Sequence, residues 1–269
     1  MKQRTDAHAV SPTDEVVVER RGAVQWIVLN RPQVRNAMSV RMYQRLVSVC
    51  ADVERDSTVR AIVVTGAGNA FSAGGDISSF RGLRTAQDAI DYDAVGNAAF
   101  TALESVRVPV VAALAGPCTG GGALIAASCD VRIASPSTRF GVPIARTLGN
   151  CLSIRDLSRL VRFVGTPRAR DLLMSARLLS AQELLAAGLV SEVTSDEDSL
   201  LPRAQDLAEQ IAGYAPLTLR ATKESFRRLQ DEGPDVTSDD LLAACYLSSD
   251  FRNAVDAFLA GRSPEWKGE

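Results

Sequence analysis

The chain has one histidine, His8. A Ser-His-Asp or Cys-His catalytic arrangement therefore has no plausible base, and a zinc site built on imidazole is nearly excluded. Any proton transfer falls to Asp, Glu, Lys, Tyr, Cys or the substrate itself. The five cysteines form no motif. Cys50, Cys118, Cys129, Cys151 and Cys245 form an odd set with no CxxC pair. Four of them lie in apolar or small-residue stretches, which points to buried, reduced thiols and a cytoplasmic location. No run of about eighteen apolar residues exists, so no membrane span is expected. The polar opening MKQRTDAHAVSPTDE lacks the apolar centre of a signal peptide, and residues 1–14 read as a disordered tail. Net charge is −2, which argues against a basic face for nucleic acid. Neither a GxxxxGK[ST] phosphate loop nor a GxGxxG turn with a distant acid occurs, so a nicotinamide cofactor is not expected.

What is present is an ordinary globular composition. Of 269 residues, 46% are hydrophobic and 23% charged, enough for one large domain or two small ones with a substantial core. Residues 16–18 and 24–29 flank the turn RRG and predict a hairpin. Met42, Leu46, Val49 and Val53 recur at helical spacing behind Ser39, a candidate N-cap. AIVVT at 61–65 and VVAALA at 110–115 predict buried strands, and 131–134 and 139–142 shorter ones. Helices are predicted over about 87–105 and 120–128 and almost throughout after Ser153. This rhythm argues for an α/β core with a helical C-terminal part.

Two glycine-rich turns share one logic. FSAGGD at 71–76 follows the first strand, and GGG at 120–122 follows the second. Small residues there let the backbone approach a ligand, and a glycine-rich helix start presents unpaired N–H groups. Two such turns converging would make an oxyanion hole. The same glycines also serve tight turns or helix packing, and pattern alone leaves both readings open.

An ordered series of segments carries a resemblance. It comprises LNRPQVRNAMS, FSAGGDI, VPVVAALAGPCTGGGALIAASCDVRIAS, FGVPIARTLG, LLSAQELLAAGLVSEV and ATKESF. Together they resemble the enoyl-CoA hydratase/isomerase (crotonase) family, from about Val16 to Leu259. The resemblance implies a crotonase-like spiral of ββα turns over 15–195 that binds acyl-CoA. It also implies a helical oligomerisation part over 196–269 and assembly as a homotrimer or homohexamer. No tightly bound cofactor is implied, because coenzyme A arrives as part of the substrate. The backbone donors to the thioester oxygen fall on Ala73 and Gly121. Gly75, Asp76 and Ile77 match residues near the adenine, and Arg35 and Lys223 match basic side chains for the phosphates.

The resemblance also marks departures. Hydratases of this family carry glutamates at the positions matching Leu124 and Ile144. Hydrocarbon neither donates nor accepts a proton, so efficient ordinary hydration is not expected. Replacement groups are sought in ARTLGNCLSIRD at 145–156. Cys151 falls near the nucleophilic aspartate of aroyl-CoA dehalogenases and is either a nucleophile or a packed thiol. Arg146 suits a second carboxylate on the acyl chain or a plain ion pair. Asp156 is a base or a helix-start residue. Three functions remain open at this point. They are a hydratase/isomerase-like enzyme with altered acid–base groups, a decarboxylation, C–C or thioester hydrolysis on a polar or dicarboxylyl acyl-CoA, and a non-catalytic CoA-binding protein.

Overall fold

The structure, a computed structural model, describes residues 14–269. His8 and all but Asp14 of the expected tail lie outside the described residues. The hairpin forms as β1 (Val16–Arg21) and β2 (Val24–Leu29), paired antiparallel. Beyond it the main sheet is parallel. It runs β1-β2-β3-β4-β6-β9, with β3 at Ala61–Gly66, β4 at Val110–Leu114, β6 at Val131–Ala134 and β9 at Glu192–Val193. β3 and β4 are covered on both faces, which is why they read as unbroken apolar runs. Alternation divides their side chains. Ile62, Val64, Val110, Ala112 and Leu114 face the larger core, and Ala61, Val63, Val111 and Ala113 face the smaller one.

A second, three-stranded sheet holds β5 (Pro117–Thr119), β7 (Arg139–Gly141) and β8 (Leu179–Ser180). β5 escaped the sequence reading because three residues opening on proline carry no period. It makes the expected spiral visible. β4 in the large sheet is followed by β5 in the small one and then by helix α4 (Gly121–Ala127). The preceding turn repeats this, with β3 followed by Ser72, which bridges Cys118 of β5 in parallel. The mixed α/β class and the ββα spiral are thus observed.

Helices on either side of these turns position the site. α1 (Val40–Arg55) starts where Ser39 Oγ accepts the Met42 amide at 3.2 Å, and it buries Met42, Tyr43, Leu46, Val49, Cys50 and Val53. α2 is one turn at Ile77–Phe80. α3 (Ala86–Ser105) opens on a capping box in which Thr85 and Asp88 each serve the other's backbone. After α4 come α5 (Ile144–Thr147) and α6 (Ile154–Val164), whose N-cap Ser153 accepts the Asp156 amide at 3.3 Å.

The helices beyond are α7 (Thr166–Ser175), α8 (Ala181–Ala186), α9 (Leu200–Ala212), α10 (Pro216–Glu232), α11 (Asp239–Tyr246) and α12 (Ser249–Leu259). α9 lies in the part assigned from sequence to oligomerisation. It packs Leu200, Ala204 and Ala208 against the smaller core and so closes the sheet's second face. No helix among the described residues is long and apolar enough to cross a membrane.

Candidate active site

The two glycine-rich turns meet. The Ser72 amide donates to Pro117 O at 2.9 Å, and the Thr119 amide donates to Ser72 O at 2.9 Å. This ladder lays the 72–75 segment alongside 117–121. The Gly120 amide is held by Gly141 O at 3.0 Å. Gly120 adopts φ +54°, ψ −121°, a backbone that suits glycine, and it turns the chain into α4.

The first donor differs from the sequence expectation. The Ala73 amide is already bonded to Arg35 O at 2.9 Å, so it is not free to hold a thioester oxygen. The reason lies in Gly74, at φ +104°. An extended chain turns successive amides to opposite sides, and this positive φ breaks the alternation. Met38 then receives the next residues. Its amide donates to Gly74 O at 2.7 Å, and its carbonyl accepts the Asp76 amide at 2.9 Å. Gly75, paired with Met38 in a parallel bridge, turns its own amide the other way. Neither the Gly75 nor the Gly121 amide has a main-chain acceptor among the described residues. They converge, for the Gly75 nitrogen is 3.6 Å from the point where a Cβ on Gly121 would stand. The two amides left unpaired and brought together are therefore those of Gly75 and Gly121.

Two tyrosines flank this pair. The Tyr43 hydroxyl, from α1, crowds the point where a Gly121 Cβ would lie. Its ring stands edge-on to Phe100, with centroids 5.8 Å apart. The Tyr92 hydroxyl, from α3, is 2.7 Å from the corresponding point on Gly75. Burial is the main reason both phenols hold their protons tightly. Tyr43 is pushed well above the usual range, with Tyr92 and Asp156 adding to the effect. Tyr92 is pushed up to about 12, with the Asp76 charge adding to burial. Both are neutral donors at ordinary pH.

Asp156 lies in the first turn of α6 and is 6% exposed. Burial, reinforced by Asp93, raises its carboxyl to about 6, while Arg159 pulls the other way. Arg159 Nη1 is 3.0 Å from Asp156 Oδ1, and the same guanidinium holds Glu104, Asn97 and Thr101. Its link to the amide pair runs through Tyr43, the phenol beside Gly121, whose proton the Asp156 charge helps to hold.

The other expected residues fall as follows. Leu124 is buried in the larger core and Ile144 packs partly against it. Asp76 is occupied. It caps α2 through the Ser78 amide at 2.9 Å and pairs with Arg31 at 2.7 Å. The Ser78 hydroxyl, then Arg31, hold its carboxyl below the usual range. Ile77 is exposed beside it. Lys223 on α10 spends its donors internally, on Asp130 at 2.7 Å, Leu103 O at 3.0 Å and Val108 O at 3.2 Å. It pins α10 to α3 and to the segments leading into β4 and β6, and leaves no proton for a coenzyme phosphate, contrary to the expectation. Arg35 is exposed and its backbone carbonyl anchors Ala73. Arg146 is exposed, and its side chain makes no hydrogen bond or ion pair among the described residues. Cys151 is exposed rather than packed, whereas Cys50, Cys118 and Cys129 are buried and free.

Similarity to known proteins agrees with this geometry. The sequence profile of the family described as enoyl-CoA hydratase/isomerase matches residues 19–269. The short-chain-enoyl-CoA hydratase of Clostridium acetobutylicum is 33% identical over 256 residues, spanning 94% of this chain and 97% of that protein. The 2,3-dehydroadipyl-CoA hydratase of Escherichia coli is 31% identical over 257 residues, spanning 94% and 99%. A crystal structure of an enoyl-CoA hydratase/carnithine racemase from Magnetospirillum magneticum superposes with a TM-score of 0.88. It is 32% identical and covers 96% of this chain and 97% of its own. Fold, paired glycine turns and sequence thus converge, and the chain belongs to the enoyl-CoA hydratase/isomerase (crotonase) family.

Proposed function

We propose that this protein is an acyl-CoA enzyme that stabilises a thioester enolate between the Gly75 and Gly121 amides, using acid–base groups other than the carboxyls of ordinary hydratases. The observation that carries this reading is the convergence of two amides that have no main-chain acceptor among the described residues. A thioester oxygen placed between them accepts two hydrogen bonds. Those bonds strengthen when the α-proton leaves and charge moves onto oxygen. Leu124 and Ile144 give the α and β carbons an apolar wall but no proton. Asp156, tuned to about 6, is the acid–base group of this reading. Arg35, exposed, is the basic side chain left for the coenzyme phosphates.

The protein works as an oligomer in a reducing compartment, the cytoplasm. Leu242, Tyr246, Leu247, Phe251, Phe258 and Leu259 are exposed on and around α11 and α12, an apolar surface that suits a second copy of the chain.

Two measurements test the function. Hydration of crotonyl-CoA, followed by loss of enoyl thioester absorbance, is expected to run about 10²–10⁴ below an ordinary hydratase. Ordinary turnover, about 1–10³ s⁻¹, refutes the acid–base part. Exchange of butyryl-CoA α-protons in D2O, read by NMR, is expected to occur. Failure of the wild-type protein to exchange them refutes the enolate part.

A further inference from the structure

Tyr92 presents its ring edge-on to Phe80, with centroids 5.0 Å apart. A phenylalanine would fill that slot as well, so packing does not call for the hydroxyl. Yet the hydroxyl oxygen is buried and has no hydrogen-bond partner among the described residues. Buried polar groups are nearly always paired, and an orphan asks for a reason. Its direction supplies one. It stands 2.7 Å from the point where a Cβ on Gly75 would lie, beside the residue whose amide turns away from Met38. The phenol thus lies against the residue that carries the unpaired Gly75 amide. A side chain at position 75 would strike the hydroxyl and press on the Phe80 ring, whose nearest atom is 3.3 Å from that point. The glycine keeps the phenol and the amide adjacent.

We propose that Tyr92 is a catalytic residue, a third hydrogen-bond donor to the thioester oxygen of a bound acyl-CoA. It completes, with the Gly75 and Gly121 amides, a three-donor pocket for the enolate. This rests on the reading of those amides given above. The phenol keeps its proton throughout, and no bond to Tyr92 forms or breaks. Its hydrogen bond lengthens or shortens with the charge on the oxygen, so it favours the enolate over the thioester. With its proton held up to about pH 12, it donates across the whole working range.

The test uses the full chain and butyryl-CoA, comparing the wild type with Tyr92→Phe. Removing one oxyanion donor elsewhere costs about 10²–10³ in rate, and loss of one of three is expected to slow α-proton exchange about 10–100-fold. The loss is expected to be uniform from about pH 6 to 9, with the calorimetric Kd for butyryl-CoA shifting less than about threefold. The melting temperature of the free protein is expected not to fall, because an unpartnered hydroxyl contributes no bond to lose. Phe80→Leu keeps the phenol and loosens its ring contact, and it is expected to hold exchange within about threefold of wild type. Exchange by Tyr92→Phe equal to wild type overturns the assignment while leaving the amide pair standing. A melting temperature several degrees lower, or an equal loss in Phe80→Leu, overturns it in favour of packing. Absence of exchange in the wild type overturns the amide pair and the Tyr92 role together.

Discussion

Gly121→Ala probes the centre of the site with a stability measurement that needs no substrate. A methyl group at Gly121 lands on the Tyr43 hydroxyl, while the ring carbon bearing that hydroxyl is at 3.5 Å, an ordinary contact. The clash is therefore with one atom. Tyr43 cannot swing aside, because α1 buries it and Phe100 blocks its ring edge-on. Overpacking of this kind costs about 1–3 kcal/mol. Alanine recovers part of this through its better helix propensity, up to about 1 kcal/mol. A net loss of about 1–2 kcal/mol is expected. At about 2–4 °C per kcal/mol for a chain of this size, that lowers the melting temperature by several degrees. Tyr43→Phe removes the colliding atom, so the double variant Tyr43→Phe/Gly121→Ala is expected to regain most of the loss. The cycle should give a favourable coupling of about 1–2 kcal/mol by urea or thermal unfolding. Additive single effects would show that the hydroxyl is not against Gly121, and the convergence of phenol and amides would fall with it.

Two further perturbations follow from the charged groups. The Asp156 carboxyl is raised in the folded protein to about 6, so the folded state binds its proton more tightly than the unfolded chain. Stability it retains in acid is then lost as pH rises from about 4 to about 6. Each tenfold difference in proton affinity between the two states is worth about 1.4 kcal/mol, so the loss reaches at most about 3 kcal/mol. Asp156→Asn should flatten that slope in urea titrations, and it should remove a rise in butyryl-CoA exchange through pH 6. An unchanged slope would assign the pH dependence elsewhere. Lys223→Met leaves Asp130 with the Val110 amide and takes the side-chain donor from two carbonyls, and it is expected to cost about 1–3 kcal/mol. Calorimetric CoA affinity should stay within about threefold, because the ammonium is already spent internally. A large affinity loss with intact stability would restore Lys223 to phosphate binding.

The sequence carried the frame of the site well and its fine direction poorly. The hairpin, α1 with its Ser39 cap, β3, β4 and the glycine turn into α4 were all legible, because apolar period and capping chemistry are local. Gly121 was legible for the same reason. The other expected donor, Ala73, is already bonded to Arg35 O, and the unpaired amide lies two residues on, at Gly75. Which amide faces the ligand depends on the φ of Gly74 and on pairing with Arg35 and Met38, some forty residues earlier. No local pattern reports that. Tyr43 and Tyr92 were visible as tyrosines on helices, but only the packing of α1 and α3 brings their hydroxyls to the two glycines. The internal role of Lys223 was hidden likewise, since its acceptors come from α3, the loop before β4 and the turn after α4.

The amide pair is built by ladder bonds between main chains, from Ser72 to Pro117, Thr119 to Ser72, Met38 to Gly74 and Gly120 to Gly141. No side chain at 124 or 144 takes part in those bonds. The scaffold thus separates the grip on the oxygen from the choice of what happens next to it. On the proposed reading, leucine and isoleucine at those positions change which reaction follows without loosening that grip, and they leave a bench at which another chemistry can be installed.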